Sequence, residues 1–378
     1  MKKLIALMLT LIMILGCFVA CNKTPDPPQN DDPAESDSVD LPEDSEDSDD
    51  SESVDGSVTP NDSESTEITD DQTDDSKDSG EDEVIKEDEA AKPNMLDGKK
   101  VIFIGNSHTY YGKTVLEKKQ SVLTQEARSN DMGYFYQICK NNGAEVAVTN
   151  WTFGNHTFTD LFEECSADRG CNGVDHFSYL TDLSFDYVIM QQGTSDASAE
   201  VFIDKCNMVM DVFKEANPDV KFVLLVARRV HEKNLKWLSG LKALDEQGVT
   251  IVDWGKMVDD IITGKTEVPG AALSYNQNSF IICKSASDGY HPNMLTGYIT
   301  SLMTYCAITG EEAEGQDYSF CGNIKVNRAF KFSSFISSYY NYNGATTNFD
   351  KIFGSESDMK GIQQLIDRYL EEKAYMNY

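Results

Sequence analysis

Residues 96–378 predict an α/β domain, a three-layer α/β/α sandwich around one parallel sheet. Three observations lead there. Five short runs rich in Val, Ile, Leu and Phe are spaced along the chain: Lys100–Ile104, Glu145–Asn150, Tyr187–Gln191, Phe222–Ala227 and Thr250–Asp253. Most of them lack polar alternation, as strands buried on both faces do. Helix-like stretches separate them, and strands alternating with helices build a parallel sheet covered on both sides. The length of 283 residues suits one large domain of this kind.

Taken in order, the first strand leads into helical stretches over Thr114–Asn130 and Tyr134–Asn141. Further helices are expected over Phe202–Ala216, Leu235–Gln247 and Met294–Ile308. An amphipathic helix near Lys360–Glu372 closes a tail rich in Tyr, Phe, Ser and Asn, as in Phe332–Tyr342, for which the sequence suggests packing or a pocket wall. In open parallel sheets, ligands bind beyond the carboxyl ends of the strands. Polar residues and glycines gather at those exits: Gly105-Asn106-Ser107-His108-Thr109, Trp151 through Gly154 to His156, Gln191-Gln192-Gly193, and Arg228-Arg229. A further block, Asp288-Gly289-Tyr290-His291-Pro292, stands before the helix expected at Met294.

The amino end carries a different signal. Lys2 and Lys3 precede a 12-residue apolar run, Leu4–Leu15, broken only by Thr10. Charge, apolar core and small residues at the exit are the parts of a secretory signal, and the run is short for a membrane span. Gly16-Cys17 and Ala20-Cys21 each resemble the lipobox of bacterial lipoproteins, in which the cysteine becomes the lipidated first residue. Cys17 follows Ile14-Leu15-Gly16, which suits the box; Cys21 stands where the sequence turns hydrophilic, and Cys21 is the expected site. Residues 22–95 then read as a linker. Residues 31–90 carry 27 Asp or Glu against two lysines, a net of −25. Such a stretch cannot bury enough apolar surface to offset its ordering entropy, and self-repulsion extends it. The chain as a whole carries −32; with +2 on residues 1–30, the remaining 91–378 hold only −9. No basic surface is available to neutralise phosphates, so nucleic acid is not an expected partner.

The blocks at the strand exits resemble the SGNH (GDSL-like) hydrolase superfamily over most of residues 98–309, in a divergent bacterial form. Phe103-Ile104-Gly105-Asn106-Ser107 matches the tight turn that carries the nucleophile, and the resemblance assigns that role to Ser107. Asp288-Gly-Tyr-His291 matches D-x-x-H, which implies His291 as the base and Asp288 as the group that orients it. Gly154 matches the glycine whose N–H faces the oxyanion. The third block departs from the family, because G-x-N-D is missing and Gln191-Gln192-Gly193 stands there; Gln192 is the substitute donor. The resemblance also implies a flavodoxin-like sheet. The chemistry agrees with these roles. A serine hydroxyl needs a base, an imidazolium needs a carboxylate, and N–H groups of Ser107 and Gly154 with the Gln192 amide can surround one oxyanion.

His108 and His156 are candidates to line the pocket, or to make polar contacts at its rim, and Arg228 to meet an anionic group of the substrate, or to form a salt bridge within the fold. Trp151, Tyr110, Tyr111 and Tyr290 are candidates to stack on a sugar, or to pack in the core. Seven cysteines fall in the domain; Cys165 and Cys171 flank a polar loop and form the one candidate bridge, the others reading as buried thiols. No zinc-site spacing and no phosphate-binding glycine loop occurs, so no metal, nucleotide or organic cofactor is expected. The expectation is an exported esterase, anchored by lipid at the cell surface, deacylating an ester-bearing small molecule or envelope glycan through an acyl-enzyme. The alternative is a non-catalytic glycan-binding lipoprotein that retains the fold, and the missing G-x-N-D block favours it. A two-lobed solute-binding lipoprotein would need a second sheet and a hinge.

Overall fold

A computed structural model describes residues 93–110, 114–116, 129–154, 156–163, 175–191, 198–233, 238–282, 291–322 and 352–377. The signal segment with Cys17 and Cys21, the linker up to residue 92, Tyr111, Cys165, Cys171, Gln192, Cys283, Asp288, Tyr290 and the tail segment Phe332–Tyr342 lie outside the described residues. So does most of the helix expected over Thr114–Asn130.

Five strands form one parallel sheet: β1 (Lys100–Gly105), β2 (Ala147–Thr152), β3 (Tyr187–Met190), β4 (Lys221–Leu225) and β5 (Thr250–Val252), in the order β2-β1-β3-β4-β5. This is the flavodoxin-like order, and its strand sequence reverses direction at β1 and β3. The described helices are α1 (Ser107–Tyr110), α2 (Tyr134–Asn141), α3 (Phe158–Phe162), α4 (Ala199–Ala216), α5 (Arg228–Lys233), α6 (Ser239–Glu246), α7 (Trp254–Ile262), α8 (Gln277–Phe280), α9 (Met294–Thr309) and α10 (Glu356–Glu372). A small antiparallel pair, β6 (Ile281–Ile282) and β7 (His291–Pro292), precedes α9.

Alternate residues of each strand feed two separate cores, one on each face of the sheet. Val101, Phe103, Ile189, Val223 and Leu225 face a layer made by α2, α7, α9 and α10. Ile102, Ile104, Val188, Met190, Phe222 and Leu224 face a layer made by α3, α4 and α6. Both faces of the strands are thus dry, which is why their sequences do not alternate. Helix α9 is buried nearly all round, and its buried hydroxyls bond back along the helix: Thr300 to Thr296 O at 2.8 Å, Ser301 to Gly297 O at 2.8 Å and Thr304 to Thr300 O at 2.6 Å.

Several elements differ from expectation. Strand β2 runs two residues later than the apolar run suggests, because Lys100 pairs with Ala147 while Glu145 is used in the turn, accepting from Gly98 N at 2.8 Å. Of the stretch expected as a helix over Leu235–Gln247, the described residues are helical from Ser239 to Glu246, and a short helix, α5, precedes it in the chain. Helix α7 was not expected at all, although Trp254, Met257, Val258 and Ile261 repeat at helical spacing and Asp253 caps it by accepting from Lys256 N. No helix among the described residues is long and apolar enough to cross a membrane. Cys139, Cys306 and Cys321 are buried free thiols, as expected, and Cys206 is buried as well.

Candidate active site

The turn after β1 is built to hold one serine still. Gly105 ends the strand against β3, where an added Cβ would lie 2.8 Å from Gln191 O and 3.0 Å from Gln191 Cβ. Only glycine permits that approach. Asn106 is buried, and each of its four hydrogen-bonding groups is engaged. Its N–H donates to Gln191 Oε1 at 3.2 Å, its side-chain amide donates to His156 O at 3.0 Å, its Oδ1 accepts from His108 N at 3.2 Å, and its carbonyl accepts from Thr109 N at 3.0 Å. The chain then enters α1, whose residues His108, Thr109 and Tyr110 are all buried. Ser107, the first residue of α1, is left half-buried. No described residue accepts its backbone N–H, nor that of Gly154.

His291 reaches Ser107 from the other end of the sequence. Pairing of His291 with Ile282 joins β7 to β6. Just beyond, Asn293 donates from its backbone to Phe280 O at 3.0 Å and from its side chain to Ser279 O at 2.7 Å, while its Oδ1 caps α9 by accepting from Thr296 N at 3.0 Å. His291 is therefore fixed to the head of a buried helix. Its Nε2 lies 3.0 Å from Ser107 Oγ, across 184 residues of sequence. That leaves Nδ1 as the atom through which a carboxylate would orient the ring. The His108 ring stacks on that of His291, with centroids 5.7 Å apart and planes 26° from parallel.

The β2 exit closes the site on another side. The Gly154 carbonyl accepts from His156 Nδ1 at 2.5 Å, which fixes the neutral His156 ring as its Nδ1–H tautomer. His108 and His156, expected to line a pocket, are both buried; His156 holds the Gly154 loop with its ring and Asn106 with its carbonyl. Tyr110 and Trp151, candidates for sugar stacking, also have their side chains in the core.

His176 was not anticipated. It is 1 % exposed, packs 4.6 Å from the Phe153 ring and 5.1 Å edge-on to His156, and neither ring nitrogen has a hydrogen-bond partner among the described residues. Burial, and then the positive charge that His156 can carry, push its pKa down from 6.5 to about 4, against the opposing pull of Asp160 and Asp175. Above pH 6.5 the ring is neutral whether the chain is folded or not. Between pH 6.5 and pH 4 the unfolded chain binds a proton that the folded one refuses, so stability falls as the pH falls. The loss from this group reaches about 3 kcal/mol near pH 4 and stops there. His176→Leu should flatten this part of the profile in melting curves taken between pH 7 and pH 4. An acid slope equal to that of the unsubstituted protein would assign the effect to other groups.

Arg228, read from the sequence as a substrate-anion site or a salt bridge within the fold, is 5 % exposed, and its Nε lies 3.3 Å from Asp259 Oδ1 on α7. Nearby, His231 Nε2 and Asp253 Oδ1 form a second buried pair at 2.7 Å, tying α5 to the cap of α7. A cavity of about 960 Å³ opens at the start of β5, the opposite end of the sheet from Ser107. It is lined by Asp245, Glu311, Glu312, Glu314, Asp367 and Glu371 with one lysine, Lys373. Among the described residues no group of three or more His, Cys, Asp or Glu is arranged to hold a metal ion.

No protein-family model and no curated protein matches the sequence. Among solved structures, one described as a GDSL-like lipase from Parabacteroides merdae is 15% identical with a TM-score of 0.38, covering 57% of this chain and 98% of its own. A mutant of the acetyl-xylooligosaccharide esterase Axe2 from Geobacillus stearmophilus is 15% identical with a TM-score of 0.33, covering 64% and 97%. A family two carbohydrate esterase from Clostridium thermocellum, in complex with cellohexaose, is 13% identical with a TM-score of 0.33, covering 58% and 65%. Similarity at this level identifies no substrate.

Proposed function

We propose that the domain is a serine esterase of the SGNH (GDSL-like) type. The observation that carries the reading is the 3.0 Å approach of His291 Nε2 to Ser107 Oγ, in a rigid turn at the strand exit where the sheet order reverses. A base at that distance can take the hydroxyl proton as the oxygen attacks an ester carbonyl. Nε2 then gives the proton to the leaving alcohol, and a water attacks the acyl-enzyme by the same route in reverse. The N–H groups of Ser107 and Gly154 lack other partners among the described residues, and both are assigned to the oxyanion. Asp288 is assigned to His291 Nδ1 and Gln192 to the third oxyanion donor, from their places in the sequence blocks.

The substrate class proposed is an ester-bearing glycan or small molecule outside the cell. It rests on the signal-like sequence of the amino end, on the lipidation proposed at Cys21 and on the acidic linker, which would hold the domain off an anionic surface. Incubation of the full chain with a fluorophosphonate probe should label the peptide that contains Ser107, since such probes report an activated serine. Acetate release from an acetylated polysaccharide should exceed hydrolysis of long-chain esters. Absence of label would favour the binding-module alternative, and preference for long acyl chains would remove the glycan assignment.

A further inference from the structure

Gln191 is the first residue beyond β3, and its side chain returns to the nucleophile turn. Its backbone N–H donates to Ile104 O at 2.8 Å, extending the β1–β3 ladder by one step. The residue is 2 % exposed. Its Oε1 accepts from Asn106 N and from Thr109 Oγ1, each at 3.2 Å. These donors bracket Ser107, one residue before it and two after it. A backbone N–H can only donate, so the atom facing it is the amide oxygen and not the nitrogen. Asn106 N–H has no other acceptor among the described residues, and the Gly105 contact shows how closely the two strand exits meet.

We propose that Gln191 is the positioning residue of the nucleophile turn, acting as a double acceptor that sets where Ser107 points. This rests on the esterase reading, and it separates the two adjacent glutamines by chemistry: Gln192 is assigned a donor role toward substrate, and Gln191 works through its oxygen on the protein itself. With the acceptor removed, a buried N–H and a buried hydroxyl lose their partner, and the turn relaxes to find others. The serine then leaves its line to His291. Substrate binding should be little affected, because Gln191 is buried beneath the turn.

Two variants divide the possibilities. Gln191→Met keeps length and volume and removes the acceptor. Gln191→Glu keeps an acceptor oxygen in either protonation state and removes the amide donor. Gln191→Met should lower kcat by about 30- to 100-fold with KM within about threefold, the scale expected when a reacting group is misplaced by a fraction of a bond length or more. Gln191→Glu should recover at least roughly tenfold of that loss. Hydrogen exchange of the segment 104–110 reads the turn without reference to catalysis. It should quicken about tenfold or more in Gln191→Met and stay protected in Gln191→Glu. Equal loss in both variants would make the amide nitrogen the working atom and overturn the proposal in favour of an oxyanion donor. Unchanged exchange and unchanged kcat in Gln191→Met would overturn it outright. If the unsubstituted protein neither labels nor hydrolyses esters, the esterase reading fails, and the exchange measurement still decides whether Gln191 holds the turn.

Discussion

Ser107→Ala should lower ester hydrolysis by about 10⁴-fold or more while leaving the melting temperature within about 2 °C of the unsubstituted protein. The two halves of that expectation have different sources. Activity falls because the alanine has no oxygen to attack with, and the His291 Nε2 that stood 3.0 Å from it has nothing to deprotonate. Stability holds because the turn is fastened through Asn106, whose four hydrogen bonds do not involve the Ser107 side chain. His291→Ala should cost a comparable factor, and the double variant should be little worse than either single one, since two residues acting as a unit are lost only once. Initial rates on 4-nitrophenyl acetate with matched melting curves measure all three. Activity retained in Ser107→Ala would remove the serine from the mechanism. Additive losses in the double variant would show that Ser107 and His291 do not act together.

The strands were legible because burial on both faces leaves a plain mark, a run of Val, Ile, Leu and Phe without alternation. The site was legible where its chemistry is concentrated in short blocks. Gly105-Asn106-Ser107 and His291-Pro292 each name themselves by composition and by their place beside an expected strand or helix. What stayed hidden depends on distance along the chain. Nothing near Gln191 says that its oxygen meets Asn106 N and Thr109 Oγ1, which are 85 and 82 residues away. Arg228 at a strand exit reads equally as an anion site or as half of an ion pair, and its neighbours in sequence do not point to Asp259 on α7. That helix was itself recoverable, since Trp254, Met257, Val258 and Ile261 sit one and two turns apart after a capping aspartate. His176 carried no signal in its neighbours. Its importance lies in being buried beside His156 without a hydrogen bond among the described residues, which only the packing reveals.

Gly154→Ala should lower kcat by about 10²-fold, and Tyr110→Phe in the same chain should restore at least roughly tenfold of it. The argument is steric. An alanine keeps the N–H assigned to the oxyanion, so loss of the donor cannot explain a fall. A Cβ at Gly154, however, would stand 2.8 Å from Tyr110 Oη. Tyr110 is buried on α1, the helix that begins with Ser107, and a buried ring cannot swing aside. The methyl group must therefore push the nucleophile's helix and the Gly154 loop apart. Both assigned N–H groups then move off the position where charge develops. Because that charge exists only in the transition state, the change should appear in kcat and leave KM nearly untouched. Removing the Tyr110 hydroxyl returns the space. Tyr110→Phe alone supplies the baseline for a double-mutant cycle, whose coupling should be about 1.4 kcal/mol or more. A Gly154→Ala variant with unaltered kcat would detach this loop from the oxyanion, and a double variant no better than Gly154→Ala would show that the Tyr110 contact is not the cause.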